Sequence, residues 1–184
     1  MANFDISIKF ILTHEGGFSN NPNDKGGATN YGISQAFLRS INSPIKPSEV
    51  TIDMARALYH DYFWTPLRLN ELKCQTVATF VFDTAVNCGN TKAVEILQEA
   101  IYQQKPIEID GIIGQQTIKA CNDITSCERN EMFLIDCLKS LRKSYYMKIV
   151  KRTPEQRTFI KGWFNRVNDF FCIGCVNDDQ DKDD

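Results

Sequence analysis

The stretch that decides the reading is His14-Glu15-Gly16-Gly17-Phe18, followed by Asp24 and by Gly26-Gly27-Ala28-Thr29-Asn30-Tyr31-Gly32-Ile33. Just before it, Phe4, Ile8, Ile11 and Leu12 recur at i, i+4, i+7 and i+8. That spacing lays apolar side chains along one face of a helix, and Gly16-Gly17 ends it. Glu15 therefore stands at the C-terminal end of an amphipathic helix. Residues 16–32 hold too much Gly, Asn, Pro and Asp for regular helix, and Thr29 to Ile33 supplies a short β-hairpin.

A carboxyl at a helix C-terminus faces the negative end of the macrodipole, so its pKa is expected to be raised. A protonated carboxyl is what glycosidic cleavage needs as general acid. Gly16 and Gly17 carry no side chains and let a sugar chain approach closely. Asp24, beside Lys25 in a polar loop, is expected to stay ionised. One protonated and one ionised carboxyl flanking a cleft is the glycosidase arrangement. Thr29 could hold a water or a sugar hydroxyl. A plainer reading stands beside this one: a Glu before Gly-Gly is usually an exposed helix end, and Asn23-Asp24-Lys25-Gly26 is an ordinary turn.

Outward from this segment, helical patterns dominate. Ser34 reads as the N-cap of a helix to about Ile41, and Thr51 as the cap of one carrying Met54, Leu58 and Tyr62 that breaks near Pro66. Residues 74–88 form a largely buried helix ended by Gly89, and Thr91 opens the next. A short helix over 115–122 precedes a long one from about 129 to 150. Thr153-Pro154 reads as an N-cap with Pro at the first helical position, before a last helix with Trp163, Phe164, Val167, Phe170 and Phe171. The fold class is mainly α, with a small β-hairpin after the first helix.

Composition narrows the function classes. The 184 residues are 42% hydrophobic and 24% charged, ordinary values for a globular chain. No apolar run reaches the ~20 residues of a membrane-spanning helix, so no membrane insertion is expected. The net charge of -2 argues against a general nucleic-acid binder. Charge is uneven: residues 1–90 carry 7 Lys/Arg against 8 Asp/Glu, residues 91–176 carry 13 against 10, and residues 177–184 carry 1 against 5. The basic residues Arg142, Lys143, Lys148, Lys151, Arg152, Arg157, Lys161 and Arg166 read first as a solvated face. They could also meet anionic peptides. The tail from Asn177 to Asp184 has no apolar residue and is expected to be disordered.

Seven cysteines without a visible secretion signal fit free thiols and synthesis in the cytoplasm. Cys172-x-x-Cys175 lacks further ligands nearby, and the two histidines, His14 and His60, stand apart; no metal or other cofactor is expected. Asp83, in an otherwise apolar helix, reads as a buried, hydrogen-bonded structural acid. Asn87 could bind an acetamido group or cap its own helix. Trp64 could stack on a sugar, with core packing as the default. Tyr31 is counted with the substrate-binding candidates.

Several motifs recur together. The helix with Glu-Gly-Gly-aromatic, the Asn-x-Pro-x-Asp turn and Gly-Gly-x-Thr-x-Tyr-Gly-Ile are joined by Tyr62-Phe63-Trp64, Phe82-Asp83-x-x-Val86-Asn87-x-Gly89, Asp110-Gly111-Ile112-Ile113-Gly114 and Lys161-Gly162-Trp163-Phe164-Asn165-Arg166-Val167. In this order they resemble glycoside hydrolase family 108, N-acetylmuramidases also labelled secretion-activator proteins. The resemblance spans about residues 4–171. Lys25, Phe18 and Cys88 depart from the usual family residues, which bears on substrate preference.

The resemblance implies a lysozyme-like fold, with residues 1–89 as the catalytic half, 90–176 as a helical peptidoglycan-binding half and 177–184 as the tail. It implies cleavage of the β-1,4 bond between N-acetylmuramic acid and N-acetylglucosamine, with Glu15 as the acid and Asp24 and Thr29 beside it. Peptidoglycan is then the partner, a monomer the expected state, and the cell wall or periplasm the site of action. A holin-like export partner or cell lysis would carry the chain there, as for phage endolysins. Two other readings compete: a lytic transglycosylase, which needs one acid and no activated water, and a non-catalytic wall-binding secretion helper.

Overall fold

Phe4–His14 forms α1, with Ile8 and Ile11 fully buried. The computed structural model describes residues 1–15 and 27–170. The expected Phe171, Cys172-x-x-Cys175 and acidic tail lie outside these residues. After α1 comes one antiparallel hairpin, β1 (Thr29–Asn30) and β2 (Ile33–Ser34), with Thr29 opposite Ser34 and Asn30 opposite Ile33. Tyr31 and Gly32 both have positive φ, 48° and 75°, the backbone hand that a two-residue turn needs to match strand twist.

Two caps stand where the sequence placed them. The Ser34 hydroxyl accepts from the Phe37 N–H at 3.1 Å and starts α2 (Gln35–Ser40); Thr51 does the same for Met54 at 3.2 Å and starts α3 (Ile52–Tyr59). The face of α3 is shifted from the expected one. It buries Ala55 and Tyr59, whereas Tyr62 is exposed. A wider π turn over His60–Trp64 follows α3 and changes which side chains turn inward.

The described chain falls into two compact units, residues 4–66 and residues 1–3 with 67 onward. The first holds α1, the hairpin, α2 and α3. The second holds α4 (Gln75–Cys88), α5 (Asn90–Tyr102), α6 (Gln115–Ile124), α7 (Glu128–Arg152) and α8 (Ile160–Asn168). The compact units part at 66/67, and within the second α4 packs along α5 and also meets α7. Thr153 makes no side-chain cap; Pro154–Phe159 is a 3-10 turn, and α8 begins only at Ile160. Proline's fixed φ suits either helix type, so the Thr-Pro signal placed the turn but not its winding.

Inside the second unit, Asp83 is fully buried and is held by two arginines. Arg142 Nη1 donates to Oδ2 at 2.6 Å, and Arg166 Nε and Nη2 donate to Oδ1 at 2.8 and 2.6 Å. Asp83 is thus the structural acid expected. Arg142 and Arg166 are not part of a solvated face: Arg142 is 0% exposed and Arg166 nearly buried. Their sequence neighbours are charged, which hid the inward turn.

Candidate active site

The site is built in the first unit. The last turn of α1 carries Glu15, whose N–H donates to the Ile11 carbonyl at 3.0 Å and continues the helical pattern by one residue. The hairpin turn brings Gly32 against the Glu15 carboxyl. A Cβ added to Gly32 would lie 2.7 Å from Glu15 Oε2 and 2.8 Å from its Cδ, and would collide with the Tyr59 hydroxyl. So the carboxyl and the phenol both border the one residue of the turn that lacks a side chain. Glycine is required here twice, for its positive φ and for this close approach.

Tyr59 is 1% exposed, and its hydroxyl donates to the Tyr31 carbonyl at 3.0 Å. That bond ties α3 to the hairpin tip. Asn30 adds a second tie, donating to the Val50 carbonyl at 3.0 Å. An aromatic series continues outward: Tyr59 packs against Phe63, Phe63 against Phe37, and Phe37 edge-on to the exposed Tyr62 at 5.5 Å.

The sequence candidates fare differently. Glu15 and Tyr31 are brought together with the hairpin, and Thr29 lies half-exposed on β1 of the same hairpin. Gly16, Gly17 and Asp24 lie outside the described residues. Trp64 is 3% exposed and packs edge-on to Phe4 at 5.6 Å, which is core packing; it offers no free face for a sugar. Asn87 is in the second unit, exposed, with its amide donating back to the Asp83 carbonyl at 2.8 Å, as a residue closing its own helix does. His14 Nδ1 donates to the Phe10 carbonyl, 2.9 Å away, and its ring packs on the Phe10 ring. Among the described residues, no three His, Cys, Asp or Glu side chains gather as a metal site.

Sequence reasoning missed two residues. Gly32 was within reach, since a glycine after Asn-Tyr between short strands signals a turn with positive φ. Tyr59 carries no local signal; its role comes from α3 folding back on the hairpin.

Residues 8–89 match the Glycosyl hydrolase 108 family model, and residues 92–168 match the Predicted Peptidoglycan domain model. The segment over residues 8–89 belongs to the glycosyl hydrolase 108 family. The family 108 segment runs through α1, the hairpin, α2, α3 and α4, and so contains Glu15, Gly32 and Tyr59. The second segment runs from α5 to the end of α8. The chain is also similar to the solved structure of Brucella abortus SagA, at 26% identity and a TM-score of 0.73, over 90% of this chain and 89% of that one. A search of curated proteins found no match. The fold is mainly α and lysozyme-like, with the small hairpin after the first helix. Family and second domain together support a peptidoglycan hydrolase, a glycoside hydrolase acting at the cell wall. No described helix is long and apolar enough to cross a membrane.

Proposed function

We propose that this chain is an N-acetylmuramidase of the lysozyme type, with Glu15 as the general acid. The observation that carries the reading is the seat of the Glu15 carboxyl, at the end of α1, against Gly32 and the Tyr59 hydroxyl, inside the segment that matches family 108. The half-buried Glu15 backs onto the hairpin turn, and general acid catalysis depends on such placement of the proton donor.

In this reading Glu15 passes its proton to the glycosidic oxygen. The bond from that oxygen to C1 of N-acetylmuramic acid breaks, and N-acetylglucosamine leaves with the proton. Asp24 stabilises the oxocarbenium-like transition state or orients the water that adds to C1. Thr29 holds that water or a sugar hydroxyl. Gly16, Gly17 and Tyr31 border the glycan. Residues 1–89 act as the catalytic half and 90–176 as the wall-binding half. The chain works as a monomer and reaches the wall through a holin-like partner or on lysis.

The test is release of soluble material from purified sacculi by wild type and Glu15→Gln. Release by wild type alone supports the acid. Release by both removes Glu15 from the chemistry. Binding without release by either makes the chain a wall-binding helper.

A further inference from the structure

The basic run of the C-terminal half divides in the structure. Arg142 and Arg166 turn inward to Asp83. Lys148, Lys151 and Arg157 instead line a pocket of ≈ 500 Å³, together with Met147, Val150 and Pro154. The lining is three cations around an apolar floor, with no acidic residue in it. None of the three cations has a carboxylate partner among the described residues. By contrast Arg56, Arg68, Lys105 and Lys119 are each held in an ion pair.

The helix end explains only part of this. Cations in the last turn of α7 complement its macrodipole, which accounts for Lys151 and Arg152. It does not account for Arg157, which stands beyond the helix in the Pro154–Phe159 turn. Nor does it explain Met147, which is 53% exposed beside the cations. The turn is braced from behind: Phe159 stacks on Trp163, and Trp163 on Tyr146 at 4.8 Å. These contacts hold the turn that carries Arg157 next to the end of α7.

We propose that this pocket binds the stem peptides of peptidoglycan through their free carboxylates. The idea rests on the wall-hydrolase reading above and deepens it. Stem peptides alternate small apolar side chains with carboxylates, and the pocket offers an apolar floor rimmed by unpaired cations. All six lining residues fall in the segment that matches the Predicted Peptidoglycan domain. The glycan strand is then cut in one half of the chain and its peptides are held by the other.

The test uses the full chain carrying Glu15→Gln, so that binding is read without cutting. Pelleting is measured with intact sacculi and with glycan strands stripped of peptides by an amidase. Adding Lys148→Ala, Lys151→Ala and Arg157→Ala is expected to weaken binding to intact sacculi about tenfold, since exposed charge contacts are each worth under ~1 kcal/mol. Binding to stripped glycan should be unchanged. A control triple, Lys9→Ala, Lys73→Ala and Arg129→Ala, should bind sacculi as the parent does. A free tetrapeptide stem should compete with sacculi, and the same peptide with its carboxylates amidated should not. Equal binding by both triples, or equal competition by both peptides, overturns the proposal. These readouts need no turnover, so a failed muramidase reading shows itself separately, as wild type that binds but releases nothing.

Discussion

Asp83 on α4 and Arg142 on α7 are joined at 2.6 Å with both side chains fully buried. Arg166 on α8 closes the other carboxylate oxygen. One acid thus ties together three helices of the second unit, at sequence separations of 59 and 83 residues. The Arg142 Nη2 atom has no partner among the described residues, so the arginine already carries some cost of burial.

Removing one partner leaves the others charged and dry. Arg142→Met is expected to destabilise the chain by about 1–3 kcal/mol, because Asp83 Oδ2 is left buried without its donor while Arg166 still holds Oδ1. Asp83→Asn should cost more, about 3–5 kcal/mol, since two arginines then face a neutral amide. Urea unfolding followed by circular dichroism checks both, with the exposed Lys148→Met on the same helix as a comparison expected within about 0.5 kcal/mol of wild type.

The same acid sets an acid limit. Burial pushes the Asp83 carboxyl up, but the charges of Arg142 and Arg166 more than reverse this and hold it below the usual carboxylate range. A group with a depressed folded pKa stabilises the fold above its unfolded value, near ~3.9, and that stabilisation is lost as pH falls through the folded value. Wild type should lose Tm steeply below about pH 4, and Asp83→Asn should show a flatter acid limb from a lower plateau. Parallel acid limbs in the two proteins would contradict the assignment.

Gly32 and Gly89 form a matched pair for testing the site. Both have positive φ, 75° and 87°, so an alanine at either is strained, by about 1–3 kcal/mol. Only at Gly32 would the added carbon strike Glu15 and Tyr59; at Gly89 nothing lies within 4 Å. Gly32→Ala should therefore lose wall hydrolysis by at least about tenfold while Gly89→Ala, which carries the backbone strain alone, keeps most of it. The measurement is hydrolysis rate at a temperature where both variants are folded.

Thiol reactivity should follow burial. Cys74 and Cys121 are buried, and burial pushes both thiols up to about 12. Cys127 is exposed. Brief alkylation of the folded chain at pH 8, mapped by peptide mass, should mark Cys127 and spare Cys74 and Cys121 until denaturant is added.

Local signals in the sequence were legible, and long-range ones were not. Ser34 and Thr51 announced their helices because a cap acts across a few residues. The hairpin was readable from Thr29 to Ile33 for the same reason. Thr153-Pro154 marked an element start but not a 3-10 turn. The α3 stripe was read from Met54, Leu58 and Tyr62, but Ala55 and Tyr59 turn inward, and Tyr62 falls in a π turn that leaves no mark in apolar spacing. Arg142 and Arg166 looked like surface charge since Asp83 is far off in the chain. At the site, Glu15 stood out by its motif, whereas Tyr59 reaches it only through the packing of α3 on the hairpin.

The central claim is tested most directly by mass spectrometry of the ends that the chain leaves on digested sacculi, with wild type and Glu15→Gln side by side. The account predicts soluble muropeptides with reducing N-acetylmuramic acid ends from wild type and none from the variant. Reducing N-acetylglucosamine ends, 1,6-anhydro ends, or the same products from both proteins would contradict it.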